Sequence, residues 1–361
     1  MISILLPDLR GGGAERVSVD LARAFAEIGH DVEFLLMSAA GDFLAEAQRE
    51  FSVFDLNVTR TRNMLRPLTA YLRARPPTAL IANMWPLTAI APTARLMSGR
   101  PCKILVSEHG ILSAQYATWG RMHRFALRSS LAAGYRLADA RVGVSGGVAL
   151  DMAALAGMPP TSFDVVHNPI SSRPIPSKNK IRQAEALWGT PSGARIVNVG
   201  SFKRVKNHRL MLRSFARISK PEARLMLVGT GQEEADLRTL TAELGITDRV
   251  IFAGFQPDPT PFYKTANLFV LSSDYEGFGN VIVEAMACGT PVVSTNCASG
   301  PAEILDNGRY GRLVPTNNPA ALAEAMQATL SEVVDPLTLQ QRAAEFSPAV
   351  AARRYLDLLG I

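Results

Sequence analysis

Two glutamates, Glu276 and Glu284, stand with seven residues between them in the stretch DYEGFGNVIVEAMACGTPVVST, residues 274–295. Gly277, Phe278, Gly279 and Asn280 follow the first, and an apolar run ends in Gly289-Thr290-Pro291. A carboxylate accepts hydrogen bonds from sugar hydroxyls, often two at once. A helix start carries backbone N–H groups and a partial positive charge, which together hold phosphate. Gly277 and Gly279 let the backbone turn sharply and come close to a ligand. With Gly279 or Asn280 opening the helix, Glu276 lies in the loop before it and Glu284 about one turn inside. The arrangement fits a ligand that reads sugar, phosphate, sugar. Glu284 sits in an apolar run where an unpaired charge is costly, which argues against an idle surface role.

The elements that would position these groups alternate. In the first half, ISILLP reads as a strand, RGGGAER as a turn, VSVDLARAFAEIG as a helix and DVEFLLMS as a strand. Val17, Leu21, Ala24 and Phe25 recur at helical spacing, and Gly29 stands where a helix stop belongs. ALIANM, KILVSE, ARVGVS and FDVVHNP are further short strands. After residue 170 the theme restarts. ARIVNVG, ARLMLVG, VIFAGF, LFVLSS and PVVST read as strands, and HRLMLRSFARIS, GQEEADLRTLTAELG, PTPFYKTA and VIVEAMACG as helices. Alternation of this kind implies parallel sheets covered by helices. The expected architecture is α/β, with two doubly wound Rossmann-like domains facing each other and ligands in the cleft between them, at the carboxyl ends of the strands. The boundaries read as residues 1–168, a Pro/Ser/Lys-rich linker at 169–180, a second domain at 181–345 and a final helix at 346–361 capped by Ser347, placed to pack back on the first domain.

Bulk properties bound the function classes. The 361 residues favour two domains, and 47% hydrophobic with 19% charged content fits large buried sheets. Cys102, Cys288 and Cys297 form no CxxC pair, so a reducing compartment, the cytoplasm, is expected. The N-terminus MISILLPDLR reads as a first strand rather than a signal peptide. Residues 78–97 are apolar but contain Asn83, Pro86 and Pro92, and read as a strand and a helix rather than a membrane span. The net charge of +6 is uneven: residues 51–150 carry 13 Lys/Arg against 3 Asp/Glu, and residues 1–50 carry 4 against 9. A basic segment implies an anionic neighbour. That neighbour is phosphate, nucleic acid or an acidic lipid surface; within the segment Arg121, Arg124 and Arg128 share one stripe of a helix, with Trp119, Phe125 and Tyr135 nearby, which suits peripheral contact with an acidic membrane without separating a basic from an apolar face.

The paired glutamates, the apolar helix and the following Gly-x-Pro-Val-Val strand resemble the signature of the retaining nucleotide-sugar glycosyltransferases of family 4, group 1 type, which have the GT-B fold. Other pieces occur in that family's order: GGGAER at 11–16, SEHG at 107–110, HNPI at 167–170, GSFKRVKNH at 200–208, LVGTGQEE at 227–234, FAGFQPD at 252–258, SGPAEIL at 299–305 and GRLVP at 311–315. The resemblance implies roles. Glu276 would contact the hydroxyls of the transferred sugar, the amides of Gly277, Phe278, Gly279 and Asn280 the distal phosphate, and Glu284 the ribose. Gly229 and Phe255 would lie in loops flanking the nucleotide, and His109 would line the donor sugar pocket. One position departs from the pattern: the arginine usual after the glycine of the basic loop is Ser201 here, so Lys203 or Arg204 would have to supply the second cation beside Lys206.

Departure of a nucleoside diphosphate builds negative charge on phosphate, and something positive must wait there. The chain has no Asp-x-Asp to hold a metal. The expectation is metal-independent catalysis by Lys206, with Arg204 or Lys203, and the helix start, with no cofactor. Gly11–Gly13 do not complete G-x-G-x-x-G, because Arg16 holds the last place, so a dinucleotide site is not expected. Gly12 and Gly13 would instead let acceptor or donor phosphate approach. The reading is a transferase that moves a hexose or N-acetylhexosamine, with a UDP-linked donor taken from the family's habit, to a saccharide acceptor, lipid-linked, in cell-surface polysaccharide or lipopolysaccharide synthesis. Two alternatives stay open: an epimerase or hydrolase on the same fold, and a basic nucleic-acid-binding protein, for which no recognisable module is present.

Overall fold

The computed structural model describes residues 1–171, 175–189 and 193–361. It divides into two units, Met1–Ser171 with Phe346–Ile361, and Ser172–Glu345. Part of the stretch expected as a linker, residues 172–174, lies outside the described residues.

In the first unit the order is β1 (Ile2–Leu6), α1 (Gly13–Glu27), β2 (Val32–Leu36), α2 (Leu44–Glu50), β3 (Ser52–Asp55), α3 (Leu65–Ala74), β4 (Ala79–Asn83), α4 (Leu87–Ser98), β5 (Lys103–Glu108), α5 (Leu112–Gln115), α6 (Arg121–Leu137), β6 (Ala140–Gly143), α7 (Gly146–Ala156) and β7 (Asp164–Val165). The strands form one parallel sheet in the order β3-β2-β1-β4-β5-β6-β7. Strands buried on both faces need continuous apolar runs, and ISILL and ALIAN supply them. β3 differs: SVFD is mostly exposed at the sheet edge, with Phe54 against Tyr71. The apolar stripe of α1 is buried as its spacing predicts, including Val17, Leu21, Ala24 and Phe25, and Gly29 takes φ 98° after it. Residues 78–97 do form β4 and α4, and Pro92 sits inside α4.

The second unit runs α8 (Lys178–Trp188), β8 (Arg195–Val199), α9 (His208–Phe215), β9 (Arg224–Val228), α10 (Glu234–Glu243), β10 (Val250–Gly254), α11 (Thr260–Thr265), β11 (Leu268–Leu271), α12 (Asn280–Ala287), β12 (Val292–Thr295), α13 (Pro301–Ile304), β13 (Arg312–Val314), α14 (Pro319–Thr329) and α15 (Pro336–Ala344). Its parallel sheet is ordered β10-β9-β8-β11-β12-β13. α8 begins at Lys178, where Ser177 accepts the Lys180 amide, so the helix takes over the last residues of the expected linker. The chain direction in strand order reverses between β8 and β11, and loops after those strands diverge and leave room for ligand.

The last helix, α16 (Pro348–Leu359), belongs to the first unit and packs on α1. Its Ala351, Ala352, Tyr355, Leu356 and Leu359 are part of that unit's core. Ser347 holds the N-cap position but its side chain makes no capping bond; Pro348 follows it at the first helical position.

Candidate active site

The strand switch point of the second unit carries the two charged groups singled out above. Lys206 comes from the loop after β8 and Glu276 from the loop after β11. The Lys206 ammonium donates to Glu276 Oε1 at 2.6 Å and Oε2 at 2.8 Å. Ser273 Oγ donates to Oε1 at 2.6 Å. Glu276 is buried at 8% exposure, so its charge depends on these partners. The two loops are bound together: the Asp274 amide donates to the Val205 carbonyl at 2.8 Å, and Ser272 Oγ to the Lys206 carbonyl at 2.9 Å. Lys206 ends a 3-10 turn, Arg204–Lys206, and Asn207 then takes φ 46° and accepts the Leu210 amide, which starts α9. Below the turn, buried His208 meets Asn198 Oδ1 at 2.9 Å, and burial pushes its pKa down to about 4.

α12 starts at Asn280 directly after this loop, with no side chain capping it. Gly279 at the N-cap has φ 104°, a conformation that glycine alone adopts without strain. Gly277 is not in the left-handed region, so of the two glycines only Gly279 is required by backbone torsion. The loop rests on residues 299–300: Ser299 Oγ donates to the Gly277 carbonyl at 3.1 Å, and a Cβ on Gly300 would collide with the Phe278 carbonyl. Phe278 itself is buried beneath the loop. Glu284, partly exposed, accepts the Tyr263 hydroxyl at 3.0 Å. Tyr263 is buried, and its own carbonyl accepts from Thr290. This tyrosine was missed in the sequence; a hydroxyl-bearing aromatic on the preceding helix was its only signal.

Arg204 does not join the Lys206–Glu276 pair. Residues two apart in a 3-10 turn point about 120° apart, and the exposed Arg204 side chain lines a neighbouring cleft with Lys203, Asn207 and Asp274. Gly229 follows β9 with φ 146°, bonds Gly254 through its amide at 2.8 Å, and has no room for a Cβ against the Gly200 carbonyl. It sets the spacing of the loops after β8, β9 and β10. Phe255, after β10, is 65% exposed.

In the first unit His109 follows β5. Its Nε2–H donates to Asn83 Oδ1 at 3.0 Å, which leaves Nδ1 as the acceptor nitrogen. Burial pushes its pKa down to about 4, with Asn168 opposing more weakly, so the ring is neutral at pH 7. The residue before it, Glu108, is buried and accepts the Trp85 amide at 3.1 Å, Thr88 Oγ1 at 2.6 Å and the Tyr135 hydroxyl at 3.0 Å. Burial raises its pKa to about 7. Tyr135 is therefore a core residue, not a member of the basic surface. Gly12 and Gly13 are exposed at the start of α1, and a Cβ on Gly12 would meet the Glu15 carboxylate. Arg121, Arg124 and Arg128 are all exposed on α6, and Met122 and Phe125 are 83% and 73% exposed among them. Trp85, Tyr116, Trp119 and His123 form a chain of ring contacts behind this tip.

Among the described residues, no helix is long and apolar enough to cross a membrane. The sequence profile described as "Glycosyl transferases group 1" matches residues 183–346, and that described as "Glycosyltransferase Family 4" matches residues 11–173. The chain is 35% identical over 184 residues to the lipopolysaccharide core biosynthesis glycosyltransferase LpsE of Rhizobium meliloti, across 48% of this chain and 52% of that protein. It is 31% identical over 137 residues to the N-acetylgalactosamine-N,N'-diacetylbacillosaminyl-diphospho-undecaprenol 4-alpha-N-acetylgalactosaminyltransferase of Campylobacter jejuni, across 38% of this chain and 37% of that protein. The aligned part is thus about half, or less, of these relatives' length. Anabaena HepE, solved in complex with UDP, has the same fold, with a TM-score of 0.82 at 22% identity over 99% of both chains. With each unit matched by its own profile and both sheets in place, the chain belongs to the group 1, family 4 glycosyltransferases of the GT-B fold.

Proposed function

We propose that the protein transfers a hexose or N-acetylhexosamine from a nucleotide sugar, UDP-linked, to a saccharide acceptor in lipopolysaccharide or surface-polysaccharide synthesis. The observation that carries this is the Lys206–Glu276 pair at the start of α12. The two charges satisfy each other as a close ion pair. When a diphosphate arrives, Lys206 turns to its oxygens, the α12 dipole adds positive potential, and Glu276 is released to accept hydroxyls of the donor sugar. Glu284, steadied by Tyr263, accepts the ribose hydroxyls. His109, neutral and held by Asn83, is assigned a place in the wall of the sugar pocket, where its buried ring shapes the lining rather than bonding the sugar directly, and Gly12 and Gly13 leave room for substrate at the start of α1.

In the proposed reaction the bond from the anomeric carbon to the phosphate oxygen breaks and its electrons stay on phosphate. The acceptor hydroxyl bonds the same face of that carbon, and its proton passes to the departing phosphate, with retention of configuration. Fixed positive groups stabilise the growing charge, with no metal required. A panel of nucleotide sugars read by thermal stabilisation, followed by product analysis with and without acceptor, tests the reading. A UDP-sugar that raises the melting temperature and gives product only with acceptor is expected. Sugar release or epimerisation without acceptor would favour the hydrolase or epimerase alternative, and turnover abolished by EDTA would overturn metal independence.

The names of the R. meliloti and C. jejuni relatives support a lipopolysaccharide or diphospho-lipid acceptor. The tip of α6, with exposed Met122 and Phe125 between arginines, supports cytoplasmic, peripheral docking on an acidic leaflet. Co-sedimentation with phosphatidylglycerol vesicles but not phosphatidylcholine vesicles is expected, and equal binding to both would remove this part of the proposal.

A further inference from the structure

Beside the Lys206–Glu276 pair, and wholly within the second unit, lies a cleft of about 510 Å³. That is within the range of about 300–1,000 Å³ common to small-molecule sites. It is formed by Lys203, Arg204 and Asn207 of the loop after β8, by Arg209 on α9, and by Asp274 and Asn317 from the loops after β11 and β13. Neither Lys206 nor Glu276 lines it.

The charges on its walls are unequal in their commitments. Arg209 is bonded to Asp236 at 2.8 Å and lies 3.6 Å from Glu233, so those acids are answered. Asp274 accepts from the Asn207 amide group at 2.7 Å, and the same group reaches Asn317 Oδ1 at 3.2 Å. Lys203 and Arg204 are exposed, and neither side chain has a hydrogen-bond or ion-pair partner among the described residues. Asn207 and Asn317 both hold positive φ, at 46° and 57°, and so present their amide side chains from tight turns. The cleft therefore offers two uncommitted cations together with carboxylate and amide oxygens in one lining. Among the described residues its lining holds no Phe, Tyr or Trp, and its one ring, His208, is buried, so recognition comes from hydrogen bonds and charge.

We infer that this cleft binds a saccharide bearing an oxyanion, a phosphate or a carboxylate, as a segment of the acceptor. Lys203 and Arg204 hold the anion, and Asp274, Asn207 and Asn317 take the ring hydroxyls. The inference rests on the proposed transfer to a saccharide. It also gives Arg204 a task different from the leaving-group cation expected in the sequence, and leaves Lys206 alone in that task.

The test is calorimetric titration of the full chain, with UDP held at saturation so that the donor site is filled. Glucose 6-phosphate, glucuronate and glucose are the probes. Binding of one or both anionic sugars but not glucose is expected, and which of the two binds identifies the anion as phosphate or carboxylate. In a Lys203→Gln/Arg204→Gln double variant that binding should weaken about tenfold or more, the loss of hydrogen bonds to charged groups. Failure of both anionic sugars to bind, equal binding of glucose, or no loss in the double variant would overturn the inference. A chain that does not bind UDP would overturn the donor site instead, and the sugar titrations would still decide the cleft.

Discussion

Lys206 and Glu276 lie 70 residues apart in sequence and meet only because the loops after β8 and β11 flank the strand switch point. Removing either leaves the other in a poor setting. Lys206→Ala strands a buried carboxylate and removes the cation from the departing phosphate. It should lower kcat by about 10²–10³-fold, about 2.7–4 kcal/mol, by analogy with losing one oxyanion donor. Glu276→Gln keeps the shape and the Ser273 contact, so the fold should hold while transfer is lost. Activity assays paired with thermal melts check both, and a Glu276→Gln enzyme at wild-type rate would remove Glu276 from the site. Glu108 gives a second test at this scale. Its carboxyl is raised from 4.5 to about 7 by burial, so its folded form prefers the proton. Stability from this group is full below pH 4.5 and is lost as pH rises toward 7. Glu108→Gln should therefore match the wild type near pH 5 and exceed it at pH 8 by on the order of 3 kcal/mol. His109 and His208 act in the opposite sense, losing stability as pH falls from 6.5 toward 4, but they are common to both proteins and cancel in the comparison. Urea midpoints at the two pH values measure the difference; a gap that does not change with pH would refute it.

At the scale of elements, the site depends on two turns that admit only glycine. Gly279 at φ 104° launches α12, and Gly300 at φ 86° lies against the Phe278 carbonyl. Gly300→Ala adds a methyl where backbone already stands, so the loop 277–280 must move. A cost of about 1–3 kcal/mol and a weaker donor affinity are expected together. Thermal melts and nucleotide titration of the variant measure both; unchanged nucleotide binding would show that the loop does not hold the phosphate. Strands such as ISILL and LFVL were legible because burial on both faces demands unbroken apolar runs. The edge strand SVFD was not, since it is mostly exposed and lacks that pattern. The start of α8 was hidden for a related reason: KNK reads as linker until Ser177 is seen capping it. The site residues were named through local motifs, but the Tyr263–Glu284 bond and the outward turn of Arg204 depend on tertiary placement that no local pattern records.

At the scale of the molecule, the chain returns to its first unit after finishing the second. α16 covers α1, and Tyr355 reaches under the carboxyl end of β5, where its hydroxyl meets Ser107 Oγ at 3.0 Å and its ring meets Phe25 edge-on. Ser107 is two residues before His109, so the last helix braces the strand that presents that histidine. A chain ending at Glu345 would keep every strand of both sheets yet expose the α1 face that Ala352, Tyr355 and Leu359 cover. Residues 1–171 alone should therefore fold poorly, and gain a cooperative melt when a peptide of residues 346–361 is added. In the full chain, Tyr355→Ala should cost about 3–5 kcal/mol in unfolding of the first unit, as for other large aromatic truncations. Tyr355→Phe should cost about 1 kcal/mol, for one hydrogen bond. Denaturant curves with a probe in each unit separate the effects: the second unit's transition should not move, because α16 supplies residues to the first unit's core cluster and none to the second's. Equal melts of 1–171 with and without the peptide would mean that α16 is a passenger, and the brace on β5 would have to come from the sheet alone.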